Sequence, residues 1–340
     1  MKKLLGLFLM LILGANIQAF ATAGIEVQPT MQSRTNAQDR VWVGTFQLVW
    51  NDFMDKIVHN PIRFREGTPI MVHELNKKEF TVEDVSESSY YKYCGKVTKN
   101  TKSVISKAIR KKFRESSDLL DKLDLRPSND KILVYAMLKK DFEFTKAFDK
   151  LGESQFGENQ TAEYFGIAPK SDNSLGEGVK VLFYNSPEDY AVMLTTKDND
   201  EVYLYKNSSN KAFNYIYEDM NKKQQSFAGE KTFQDKDELK VPDIKFFTEK
   251  SFEELQGRRV MGTNLVIDQA LETVKFEMNN KGVKLKSEAA MSIMKMALMP
   301  EVQPPRLFYF DNTFVVFLKE KGKDVPYFAL RVHDINKFQK

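Results

Sequence analysis

The sequence predicts a single α+β domain, with amphipathic helices in its first third and strands through most of the remainder. Two observations carry this reading. Phe46, Val49, Trp50, Phe53, Met54 and Ile57 recur at i, i+3, i+4 and i+7, which predicts one amphipathic helix over 45–58, stopped by His59-Asn60-Pro61. From Lys131 onward, short β-branched and aromatic runs are separated by turn residues, the pattern of a sheet protein. Of the 340 residues 42% are hydrophobic, including 26 Phe and 13 Tyr, enough apolar surface for a large core. No Pro/Gly/Ser-rich linker divides the strand-rich half, so 22–340 is expected to fold as one unit.

In chain order, Lys2 and Lys3, an apolar run from Leu4 to Ala15 and the Ala19-Phe20-Ala21 exit form the layout of a secretory signal peptide over 1–21. The run is too short to span a bilayer, which needs about 20 residues. Export, to the outside or to a bacterial periplasm, is the expectation. Residues 22–38 are polar and read as a mobile arm, and 101–125 as one or two helices. The run 131–139 is apolar on both sides and reads as a strand covered on both faces. Strands are expected at 179–184, 190–196, 201–206, 239–247, 273–278, 307–320 and 326–332, with Lys321-Gly322-Lys323-Asp324 turning the last two into a hairpin. Residues 211–221 read as a helix and 224–238 as an exposed loop.

Composition excludes several chemistries. Without Lys2 and Lys3 there are 49 basic residues against 47 acidic ones, a balance that does not call for nucleic acid. Cys94 is the only cysteine; it reads as a free buried thiol and cannot form an internal disulfide. His59, His73 and His333 are too scattered for a metal motif, and no Gly-rich phosphate loop or Gly-x-Ser-x-Gly elbow occurs. No metal, no cofactor and no catalytic residue is indicated. One basic run stands out: Lys96, Lys99, Lys102, Lys107, Arg110, Lys111, Lys112 and Arg114 have no acid among them. It is readable as a solvated helix face or, through Lys107, Arg110, Lys111, Lys112 and Arg114, as a site for a polyanion such as a sulfated glycan. Asn159 and Asn207 begin glycosylation triplets, which matter only for a eukaryotic source.

The stretch 279–305 admits two readings. Its 287–299 part is built from helix formers and stops at Pro300, so Met291, Met294 and Leu298 suit an amphipathic core helix. At a period of two, Val283, Leu285, Ser287, Ala289, Met291 and Ile293 fall on one side and Lys284, Lys286 and Glu288 on the other, which suits a strand.

The closing run Phe310 to Asp334 resembles the terminal hairpin of the serpin family, and Thr273 to Gly282 resembles that family's strand and hinge entry. Lys131 to Asp149, Leu239 to Phe247 and Val179 to Tyr184 follow in a similar order. Glu272 stands where the family pattern would place a histidine, and Asn280 where it has a glutamate. The resemblance implies a serpin-like α+β fold with large mixed and antiparallel sheets, N-terminal helices and an exposed reactive-centre loop. It implies an exported, non-enzymatic, monomeric inhibitor of a serine or cysteine protease, acting by suicide cleavage and loop insertion. The hinge and insertion strand would comprise Gly282, Val283, Leu285, Ser287 and Ala289, and the reactive bond would be Met296-Ala297, or follow Lys295. The other role it allows is a non-inhibitory binding protein of the same fold.

Overall fold

The computed structural model describes residues 24–127, 131–284 and 305–339, so the expected export segment 1–21 lies outside the described residues. Its largest sheet has seven strands in the order β1 (Glu26–Gln28), β2 (Arg40–Val43), β17 (Phe328–Val332), β16 (Phe314–Glu320), β10 (Asp200–Lys206), β9 (Asp189–Thr195) and β8 (Val179–Ser186). All neighbours are antiparallel except β1 and β2. A second sheet runs β15 (Leu307–Tyr309), β11 (Glu238–Pro242), β7 (Gln160–Ile167), β6 (Asp149–Phe156). A third runs β12 (Ile244–Ser251), β13 (Leu271–Asn279), β14 (Gly282–Lys284), β5 (Asp141–Glu143), and a fourth pairs β3 (Tyr90–Lys96) with β4 (Ile132–Leu138). The helices are α1 (Thr45–Asp52), α2 (Ile70–Leu75), α3 (Thr101–Phe113) and α4 (Phe213–Ser226).

The expected elements from 179 to 206, the helix after Lys211 and the closing hairpin are all present. Others differ. Residues 24–38 are no mobile arm: β1 pairs with β2 while Ile25, Val27 and Met31 are buried, because three apolar side chains suffice to dock a polar segment on a sheet edge. The helix expected over 45–58 is α-helical only to Asp52 and continues as a π-helix over Phe53–Val58. Within 101–125 only α3 is a helix, ended by Arg114 in the left-handed region. The runs 239–247 and 307–320 are each two strands belonging to different sheets. Cys94 is free but half-buried rather than fully buried.

One core joins the seven-stranded sheet to β6, β7, β12 and β13. A second binds α1 and α2 to Phe252, Leu255 and Val260, with the Phe46 ring 4.2 Å from that of Phe252. A third packs Ile105, Ile109 and Phe113 of α3, with Leu120, on Tyr135 of β4. α1 lies against β4 as well. The strand is thus covered on both faces, as its doubly apolar run predicts.

Candidate functional site

The third and fourth sheets are nearly one sheet with a gap in it. β4 and β5 are consecutive, separated only by Lys139 and Lys140, yet they belong to different sheets. On the β5 side, β14 bridges β13 and β5, antiparallel to both. On the β4 side no strand lies between β13 and β4 among the described residues. β13 pairs with β12 along its length, but on its other edge only Glu277, Met278 and Asn279 have partners. The edge of β13 from Leu271 to Phe276 and the outer edge of β4 face a cavity of about 1480 Å³. Phe46, Val49 and Trp50 of α1 line it, with Tyr135 of β4 and Val274 and Phe276 of β13.

The head of this trough is tightly made. Val283 is fully buried, paired with Met278 on one side and Phe142 on the other. Gly282 stands where a Cβ would overlap the Phe142 carbonyl oxygen and lie 2.7 Å from Glu143 Cα, so the close approach of β14 to β5 requires glycine. The preceding turn is clamped as well. The Phe144 N–H donates to Lys281 O at 2.9 Å, and the Phe148 N–H to Asn280 O at 2.8 Å. The Asn280 side-chain amide donates back to Phe148 O at 3.0 Å.

Lys140 anchors the bend between β4 and β5. Its ammonium is buried against Asp200 at 2.8 Å and against Glu320, under the Tyr327 ring at 4.9 Å. The Tyr327 hydroxyl donates to Asp200 at 2.9 Å. Burial pushes the Asp200 carboxyl above its usual range, and Lys140 opposes that rise. The far mouth of the trough is crossed by the chain around 116–126. Lys122 pairs with Glu249, the Asp124 N–H donates to the Gln269 side chain at 2.7 Å, and Lys131 reaches Asp268 at 2.8 Å.

Glu272 is the one acid on the inward face of β13, beside Val274, Phe276 and Met278. It is 4% exposed, and neither carboxyl oxygen makes a well-formed hydrogen bond. Burial pushes its carboxyl up to about 8; the Thr45 hydroxyl and the Phe46 N–H at the first turn of α1 favour the charged form more weakly. Sequence reading marked Glu272 only as a departure from a pattern and missed Lys140 and the Asn280 clamp. A carboxylate within an alternating apolar strand was the available signal for Glu272.

The basic run is confirmed as one helix face in part. Lys107, Arg110, Lys111 and Arg114 are exposed at i, i+3, i+4 and i+7 along and just past α3, with no ion pair to a described residue. Lys112 does not join them: its ammonium donates to Glu87 O at 2.5 Å and lies 5.4 Å from the Tyr90 ring centre. Burial raises the Cys94 thiol, the opposite of what an activated thiolate requires. Of the expected hinge and insertion residues, Gly282 and Val283 lie in β14. Leu285, Ser287, Ala289, Lys295, Met296 and Ala297 lie outside the described residues.

No family model and no curated protein matches the sequence. Solved structures similar to this chain include three serpins. Serpin48 of the insect Tenebrio molitor is 11% identical, over 87% of this chain and 91% of that one, at a TM-score of 0.46. Human glycosylated kallistatin is 10% identical over 77% of this chain and 84% of its own, at 0.45. Thyroxine-binding globulin, solved with thyroxine, is 11% identical over 68% and 63%, at 0.44.

Proposed function

We propose that this chain is an exported, serpin-like inhibitor of a serine or cysteine protease, and that the trough between β4 and β13 receives the segment following Lys284 after cleavage. The carrying observation is the place of β14. It already fills the head of the gap, antiparallel to β13 in the register Met278 to Val283, and from Gly282 to Lys284 it runs toward the unpaired part of that edge. Continuing that register sets Leu285 opposite Phe276, Ser287 opposite Val274 and Ala289 opposite Glu272. Directly opposed residues share a face, so these three would join the buried side of β13 while Lys286 and Glu288 would face out. No charge would need to enter the core, which would otherwise cost several kcal/mol. Leu285 is bulky for such a role, but a trough of about 1480 Å³ leaves room for it.

In this mechanism a protease attacks Met296-Ala297, or the bond after Lys295, and forms its acyl-enzyme. Release of the cut end lets 285–290 zip down six residues of β13, gaining ladder hydrogen bonds and burying Leu285. Insertion that outruns hydrolysis carries the attached protease away and disables it. Incubation with trypsin-, chymotrypsin-, elastase- and subtilisin-type proteases tests this on denaturing gels. An SDS-resistant adduct is expected with at least one. The cleaved chain should melt roughly 10 °C higher or more, since each kcal/mol moves Tm by about 2 °C at this size. Clean cleavage with neither adduct nor Tm rise would overturn the reading.

The exposed stripe Lys107, Arg110, Lys111 and Arg114 supports a second reading, a binding protein of the same fold that holds a polyanion. Immobilised heparin should retain the chain in a salt-sensitive way, and changing all four to Ala should abolish retention. Unaltered retention of that variant would remove this face from consideration.

A further inference from the structure

Glu272 is left without a charged partner both as the trough stands and in the inserted register, where it would face Ala289. A carboxyl so placed needs a donor from elsewhere. No cation of the described chain supplies one. Lys131, on the trough's rim, is held by Asp124 and Asp268 at 3.0 and 2.8 Å; Lys139 donates to Phe113 O at 3.3 Å. Around the carboxyl the walls are apolar, with Phe46, Val49, Trp50, Val274 and Phe276 in the lining. The first turn of α1, which presents Thr45 and Phe46 to Glu272, favours negative charge there.

We infer that the trough is a binding site for an apolar ligand carrying one amino group, with the ammonium on Glu272 and the hydrocarbon along α1 and β13. An ammonium makes the carboxylate its charge-assisted partner inside a water-poor cavity. An alcohol offers only a neutral hydrogen bond, and a carboxylate ligand meets a like group. The volume, about 1480 Å³, exceeds the roughly 300 to 1,000 Å³ typical of small-molecule sites, so a long aliphatic or aromatic body fits. Such a ligand occupies the space that 285–290 would take and so blocks insertion; that consequence rests on the inhibitor reading, whereas binding itself does not.

The test uses the intact, uncleaved chain with no protease, so its failure is separable from failure of the inhibitor reading. Octylamine, octanol and octanoate are titrated at pH 9, where Glu272 is ionised and the amine still charged, by calorimetry and by the fluorescence of Trp50, which lines the cavity at 2% exposure. Octylamine should bind at least about tenfold more tightly than octanol, the factor that one charge-assisted bond of about 1.4 kcal/mol supplies, and octanoate most weakly. Glu272→Gln should remove that preference and leave octanol within about twofold. Val49→Trp, which narrows the floor without touching the carboxyl, should weaken all three probes alike, and it keeps the site testable should Glu272→Gln fail to fold. The proposal is overturned if no probe binds, if octylamine and octanol bind equally, if Glu272→Gln keeps the preference, or if Val49→Trp leaves octylamine unchanged.

Discussion

The hairpin β16–β17 and the strand β13 are built from similar residues and finished very differently. In the hairpin, Phe314 through Leu318 are all fully buried, and each strand has a partner on both sides: β10 beside β16, β2 beside β17. β13 is alternately buried, has a hollow beside its Leu271 to Phe276 edge, and holds an unpaired carboxyl on its inward face. A sheet edge beside a cavity forgoes both ladder hydrogen bonds and dispersion contacts. The molecule thus joins a completed half to one left short of its best packing.

The largest way to expose that contrast is pH. Glu272 ordinarily titrates near 4.5 and is pushed up to about 8 in the fold. Between these values the folded chain keeps a proton that the unfolded chain has released, so stability falls as pH rises from about 4.5 to about 8 and is level beyond. Each unit of that shift is about 1.4 kcal/mol, which makes the full loss roughly 5 kcal/mol. Asp243, raised to about 6 by burial, adds a loss of the same sign in a lower window. Glu272→Gln removes only the first component: close to wild type at pH 5, it should exceed wild type by roughly 4 kcal/mol at pH 8.5. Urea unfolding of both proteins at the two pH values measures this, and parallel pH profiles would mean that Glu272 is not buried as described.

Next in size is the start of β14. Gly282→Ala drives a methyl into the backbone of Phe142 and Glu143, and β14 must move off β5 to relieve it. Loss of the β5 pairing and of the Val283 contact should cost about 3 kcal/mol. Hydrogen exchange should show the damage at Asp141 to Glu143 while β16 and β17 stay protected. Equal loss of protection in both regions would show that the two halves are not separable.

What the sequence disclosed follows the same division. The closing hairpin was legible because continuous β-branched and aromatic runs and the Lys321-Gly322-Lys323-Asp324 turn agree there. The hairpin β6–β7 escaped notice since β6, "DKLGESQF", is mostly exposed and carries no apolar period. Residues 24–38 misled for the opposite reason: tertiary docking of Ile25, Val27 and Met31 overrides a polar composition. The inward phase of Val283 was readable from a period of two, whereas Gly282 was singled out only by the family resemblance. The trough was not, because it is a missing strand, and pairing between β4 and β13 depends on segments some 140 residues apart in number. Lys140 was likewise invisible, its partners Asp200 and Glu320 lying far along the chain.

The smallest effect is the sharpest comparison, because one chemical change is made in both halves. Phe317 is fully buried between strands paired on both sides, with the Tyr217 ring at 5.1 Å and Phe213 at 6.2 Å. Phe276 is 1% exposed and stacks on Phe328 at 4.6 Å, but its other flank borders the trough. Removing a ring from a close-packed site costs about 4 kcal/mol, transfer and new cavity together. At Phe276 part of that cavity already exists and part of the dispersion energy was never gained, so Phe276→Ala should cost about 2 kcal/mol less than Phe317→Ala. Denaturant midpoints of the two variants at constant m-value measure the difference. Cleavage that allows insertion should then narrow it, since a strand lying against Phe276 restores the packing that the uncleaved fold lacks.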